Sequence, residues 1–157
     1  MSAAGSALQH AWSTDNPVFA AYVFYSGVLV LKMLGTTLLV VRQRFAKKVV
    51  MNPEDRMDKN SKVLPTGGDP DVERPRRAHM NDLENIPAFW VTGLLYCLTN
   101  PAPALAVNLF RAYTAARIMH TIVYAVVPLP QPSRIIVFVV GVTITTYMAI
   151  STIIHFA

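Results

Sequence analysis

The sequence predicts an all-α integral membrane protein: four transmembrane helices packed as one bundle, in a single domain spanning residues 1–157. Three observations lead there. The chain is 53% hydrophobic with a mean hydropathy of +0.37, too apolar for a water-soluble domain of 157 residues. Long uncharged or nearly uncharged runs alternate with proline-containing breaks. The charges are confined: ten of fourteen Lys and Arg fall between Arg42 and Arg77, and eight of nine acids between Glu54 and Glu84. That window mixes both signs, so the net charge of +5 does not form the basic stripe that a nucleic-acid partner needs.

The first span is expected at about 17–45. Asp15, Asn16 and Pro17 give a capping side chain followed by proline at the first helical position. Only Lys32 is charged within the next twenty-five residues, and Arg42, Arg44, Lys47 and Lys48 close the run. The apolar stretch lacks a basic segment before it and a small-residue cleavage site, so it reads as a retained span. Residues 46–73 are the long loop, with "NPEDR" as a turn and "PTGGDPD" as a flexible break.

The second span is expected at about 74–98. Its uncharged part, from Ile86 to Leu98, is too short alone, so the charged stretch "ERPRRAHMNDLEN" must form its first half. Pro75 fits a first turn, and Pro87 is expected to kink the helix or mark a local irregularity. "TNPAP" turns the chain into a third span at about 103–127, which carries Arg111, Arg117, His120 and Tyr124. "PLPQPSR" breaks it again before a fourth span at about 133–155. The β-branched residues there would favour a strand in water; in lipid, unbroken apolar length favours a helix. The positive-inside bias puts the 46–73 loop in the cytosol and brings Arg134 to the same membrane face.

On helical spacing, Arg74, Arg77, Asn81 and Glu84 form one stripe, expected to face the bundle interior. Arg117, His120 and Tyr124 form a second, and Arg44 and Arg134 lie at neighbouring helix ends. The plainer account is that such charges pair across helices or reach up to lipid phosphates. For Lys32, alone in its span, structural pairing is the expectation. His10 and His155 lie near the chain ends, and Cys97 and the methionines read as packing residues. A single cysteine permits no internal disulfide, and no metal-ligand cluster is visible. Several arginines with an amide, an acid and a tyrosine suit a small multiply charged anion, bearing carboxylates or phosphates and one amine, beside an apolar compartment. The chain therefore reads as bringing a polar anion to a lipophilic partner.

"NPED" at 52–55, "DPDVERPRRAHMNDLEN" at 69–85, "ARIMHTIVY" at 116–124 and "PLPQPSR" at 128–134 resemble the membrane-associated proteins in eicosanoid and glutathione metabolism, most closely the type 1 class of microsomal glutathione transferases. The resemblance covers residues 17–154. It implies a homotrimer of four-helix subunits, with glutathione bound as co-substrate between neighbouring subunits on the cytosolic side, and no metal. Matched by motif, Arg44, Arg77, His79, Asn81 and Glu84 fall on its glutathione-site or adjacent polar positions, as do Arg117, His120, Tyr124 and Arg134. Arg134 is then the thiolate stabiliser and Tyr124 a hydrogen-bond donor beside it.

The activity this implies is transfer of the glutathione thiolate to lipophilic electrophiles, with glutathione-dependent reduction of lipid hydroperoxides. The implied residence is the endoplasmic reticulum membrane, with the mitochondrial outer membrane as the alternative. Two departures bear on activity. The prostaglandin E synthase pattern has arginine at the position of Met80 and serine at that of Ile135, which weighs against that isomerase chemistry. Mammalian type 1 transferases carry a cysteine after "NPED", associated with activation by thiol reagents; here it is Arg56. The alternatives are a prostaglandin E synthase-type isomerase, a non-catalytic lipid-binding scaffold and an ion channel.

Overall fold

The computed structural model describes residues 11–64 and 68–157. Part of the expected "PTGGDPD" break, residues 65–67, lies outside them, as does His10. The described chain is helical throughout, apart from a small knot of structure in the loop. Helix α1 is Pro17–Lys47, α2 is Pro70–Cys97, α3 is Pro103–Thr121 and α4 is Ser133–Phe156. Helix α1 packs on α2 and α3, and α4 closes against the same two.

The helix ends follow from local chemistry. Asn16 Oδ1 accepts from the Val18 N–H at 2.9 Å, with Pro17 in the first turn. At the other end Lys48 adopts a left-handed conformation (φ 52°), and its N–H returns to the carbonyls of Arg44 and Phe45. Helix α2 begins four residues earlier than the sequence suggests. Asp69 caps it by accepting from the N–H groups of Asp71 and Val72, and Pro70 takes the first position. The Asp-Pro pair is a start signal here, not a break.

Helix α2 continues through both Pro75 and Pro87. In the turns before Pro87, side-chain donors engage two backbone carbonyls: Asn85 Nδ2 to Asn81 O at 2.7 Å and Tyr113 Oη to Asn85 O at 2.9 Å. The third helix stops sooner than expected. After Thr121, residues Ile122–Val126 form a π-helical turn that carries Tyr124. In the loop, β1 (Val49–Val50) pairs in parallel with β2 (Lys62–Val63), a bridge that two-residue strands do not announce in sequence.

The core is an aromatic stack between the helices. Phe89 lies parallel to Tyr113 with ring centroids 4.0 Å apart, and Phe110 meets both Phe89 and Tyr22 edge-on at 5.9 Å. Leu29, Ile86 and Met148 fill the rest. Gly93 lets α1 and α2 approach: a Cβ there would lie 3.1 Å from the Tyr22 ring. By length and composition, α1 and α4 are able to cross a membrane. At about 1.5 Å per residue, their 31 and 24 residues reach about 46 and 36 Å, beyond a hydrocarbon core of about 30 Å. Both leave broad apolar faces outside the bundle, among them Leu31, Leu34 and Leu38 on α1 and Ile150, Ile153 and Ile154 on α4.

Candidate functional site

Which face of α2 turns inward is decided by its apolar register. Ala78, Ile86, Phe89 and Gly93 are buried at helical spacing, and Asp82 occupies the same line. The stripe of Arg74, Arg77, Asn81 and Glu84 therefore sits about one residue around the helix. Arg77 and Glu84 are exposed, and Arg74 and Asn81 are partly buried. This corrects the expectation that the stripe faces the bundle interior: the apolar side chains of Ala78, Ile86 and Phe89, with the close approach at Gly93, outweigh the polar ones in choosing the inner face.

The interior charge is instead Asp82, which the sequence reading left unassigned. Its side chain is fully buried. Asp82 Oδ2 pairs with Lys32 Nζ, and Asp82 Oδ1 accepts from Arg117 Nη2 at 2.8 Å. Lys32 thus has the structural counter-ion expected for it. Arg117, 1% exposed, also donates from Nη2 to Asn81 Oδ1 at 2.7 Å. A lone lysine in an apolar helix calls for a buried acid. The signal that identifies Asp82 is its place four residues after Ala78 and four before Ile86.

A second constellation lies at the C-terminal end of α3. His120 is buried and its ring stacks on Tyr124 at 5.6 Å between centroids. The guanidinium carbon of Arg134 lies 4.9 Å above the Tyr124 ring, a cation–π contact. The π turn sets Tyr124 in this position, and such turns recur at functional sites. The Nε of Arg134 and Nδ1 of His120 are buried without a hydrogen-bond partner among the described residues. Arg117 and His120 lie three residues apart on α3, so the two constellations adjoin along that helix.

The remaining motif residues are dispersed. Arg44 donates from Nη2 to Met51 Sδ at 2.7 Å and lines a cavity of about 490 Å³ between the end of α1 and the loop, together with Phe45, Val49 and Met57. His79 is partly buried, with an unpartnered Nδ1. Arg76 pairs with Glu73 at 2.7 Å. The structure therefore joins Asn81 to Arg117 and His120 to Tyr124 and Arg134, and leaves Arg44, Arg77 and Glu84 outside these clusters. Among the described residues, no group of three or more His, Cys, Asp or Glu side chains is placed to hold a metal.

Comparison with known proteins gives this arrangement its relatives. The MAPEG family profile matches residues 22–154. Human microsomal glutathione S-transferase 1 is 44% identical over 140 residues, covering 86% of this chain and 88% of the human protein. The rat protein of the same name is 44% identical with the same coverage. Human prostaglandin E synthase is 34% identical over 115 residues, 73% of this chain and 75% of that protein.

Proposed function

The chain belongs to the MAPEG family, and on that premise we propose that it is a membrane-bound glutathione S-transferase. It transfers the glutathione thiolate to lipophilic electrophiles and reduces lipid hydroperoxides with glutathione. The single observation that carries the reading is the Arg134–Tyr124–His120 stack. It puts a cation and a phenol side by side where the C-terminal end of α3 meets the start of α4.

The chemistry needs that cation. A free thiol titrates near pH 8.5, so roughly 3% is thiolate at pH 7. A guanidinium beside the sulfur lowers the thiol pKa, and the Tyr124 hydroxyl donates a hydrogen bond to the anion. The sulfur then forms a bond to the electrophilic carbon while the leaving group departs with its electron pair. With a hydroperoxide, the thiolate attacks the terminal oxygen, an alcohol is released, and a second glutathione completes the disulfide and water. Because a stabilised thiolate is also a weaker nucleophile, positioning must supply part of the rate.

Asn81, Arg77 and Glu84 hold the tripeptide's backbone, carboxylates and amine, with Arg44, His79, Arg117 and His120 contributing or supporting. Arg77 and Glu84 face out of the subunit, which suits a ligand site closed by a neighbouring subunit in a homotrimer. In this reading all four helices span the endoplasmic reticulum membrane and the site faces the cytosol. Met80 and Ile135 favour the general transferase over a prostaglandin E synthase-type isomerase.

The test is conjugation of glutathione to a chlorinated nitroaromatic by detergent-purified protein, with Arg134→Ala alongside. Loss of about 100-fold in kcat is expected, the scale for removing one group that stabilises a reacting anion. A protein that binds no glutathione refutes the functional reading. Unchanged turnover in Arg134→Ala removes only that residue's role.

A further inference from the structure

Asn81 belongs to both sides of α2. Its side chain is partly exposed on the outer stripe, yet its Oδ1 is held from within by Arg117 Nη2. That one nitrogen serves two acceptors, Asn81 Oδ1 and Asp82 Oδ1, at 2.7 and 2.8 Å. Asp82 is fixed in turn by Lys32, which takes the other carboxylate oxygen. Lys32, Asp82 and Arg117 are 7%, 0% and 1% exposed as side chains, so water has little access to the Lys32–Asp82 and Asp82–Arg117 pairs.

We propose that Lys32 and Asp82 are positioning residues for the glutathione site, acting through Arg117 on the side-chain amide of Asn81. The chain of contacts has a direction. Lys32 on α1 turns the Asp82 carboxylate so that Oδ1 meets Arg117 from α3. The planar guanidinium then fixes the Asn81 carbonyl. With that oxygen engaged, the two N–H bonds of Asn81 Nδ2 are set toward the outer face, and no described residue accepts from them. Asn81 is thereby held as a donor, the form that suits a carboxylate or peptide carbonyl of the tripeptide. Three helices lock one amide, and a ligand binding there need not order it.

This rests on the proposed transferase reading, and the experiment separates the two. Glutathione affinity is measured by isothermal titration in detergent, with kcat and KM for both substrates, on wild type, Lys32→Met, Lys32→Arg, Asn81→Ala and the Lys32→Met/Asn81→Ala double variant. Lys32→Met leaves a one-to-one Asp82–Arg117 pair, so the core keeps a counter-ion for each charge. The expected result is glutathione affinity weaker by about tenfold, the size of coupling within one hydrogen-bond network, with the KM of the apolar acceptor unchanged. Lys32→Arg restores most of it. In the Lys32→Met background, Asn81→Ala adds little further loss.

Full additivity of the two substitutions, or unchanged glutathione affinity in Lys32→Met, overturns the positioning role. Should Lys32→Met not fold, the cycle is run with Lys32→Gln, which keeps a neutral donor toward Asp82. Additivity there overturns the proposal equally. Wild-type protein that binds no glutathione sinks the functional reading instead.

Discussion

Replacing Asp82 by Asn tests whether the buried network holds the bundle together. The change preserves shape and removes one negative charge. In the native protein that carboxylate serves two cations, one on each oxygen. After the change, the amide oxygen can satisfy one of them, and the amide N–H groups face the other. Two buried cations from α1 and α3 are then left with no anion between them. Removing one member of a buried ion pair costs about 3–5 kcal/mol. The residual hydrogen bond to the amide oxygen places the expected loss near 3 kcal/mol, the lower end of that range. The assay is unfolding in mixed micelles of fixed detergent composition, followed by loss of helical circular dichroism. A second comparison sharpens it. Lys32→Met/Asp82→Asn removes one of the stranded cations, so the double variant should be more stable than Asp82→Asn alone. Equal stability of Asp82→Asn and wild type would refute the reasoning, as would a double variant less stable than the single one.

Gly93→Ala should destabilise the bundle by about 1 kcal/mol in the same assay. Alanine improves helix propensity by about 1 kcal/mol, but overpacking costs about 1–3 kcal/mol. The Tyr22 ring in its way is held by a 2.8 Å bond to Trp90 O; a more stable variant would show that Tyr22 yields. The Asp58 carboxyl is held below its ordinary value by the Asn60 N–H and by Lys48. A depressed carboxylate contributes stability above its unfolded value and loses it as pH falls through the lower folded one. Relative to an unfolded substrate digested in parallel, the loop should therefore resist limited proteolysis equally from pH 5 to neutrality and open only below about pH 4, with Asp58→Asn more readily nicked by trypsin at neutral pH; identical nicking rates for variant and wild type would count against the tether. Thiol alkylation should leave the transferase rate unchanged, because the sequence has Arg56 after "NPED" and its one cysteine, Cys97, is buried. A several-fold rise in rate on alkylation would contradict this.

Helix existence was legible because length and apolarity are read directly from the chain. Asn16–Pro17 marked α1, and "TNPAP" and "PLPQPSR" separated the later helices. Boundaries were less legible where one signal has two meanings: Asp69–Pro70 is both a turn motif and a capped helix start, and the structure uses the second. The π turn at Ile122–Val126 and the Val49–Val50 bridge depend on tertiary contacts that leave no local period. For the site, spacing grouped His120 with Tyr124 correctly. It could not choose the inner face of α2, because polar and apolar stripes there are adjacent and both helical in period.

In the proposed transferase reading, that adjacency has a functional consequence. A polar tripeptide bound beside lipid needs charged groups at a surface, whereas the helices presenting them need an apolar interior. Helix α2 meets both demands by offsetting two stripes by about one residue, with Asp82 on the inner line and Arg77 and Glu84 on the outer. Asn81 stands between them, the one outer-stripe side chain with a hydrogen bond into the core among the described residues. Rigidity built among Lys32, Asp82 and Arg117 can then reach the ligand face without burying a ligand-binding charge. On this account, substitutions at the inner line should alter glutathione affinity through Asn81, while those at Arg77 and Glu84 should alter it with little effect on the unfolding of the subunit.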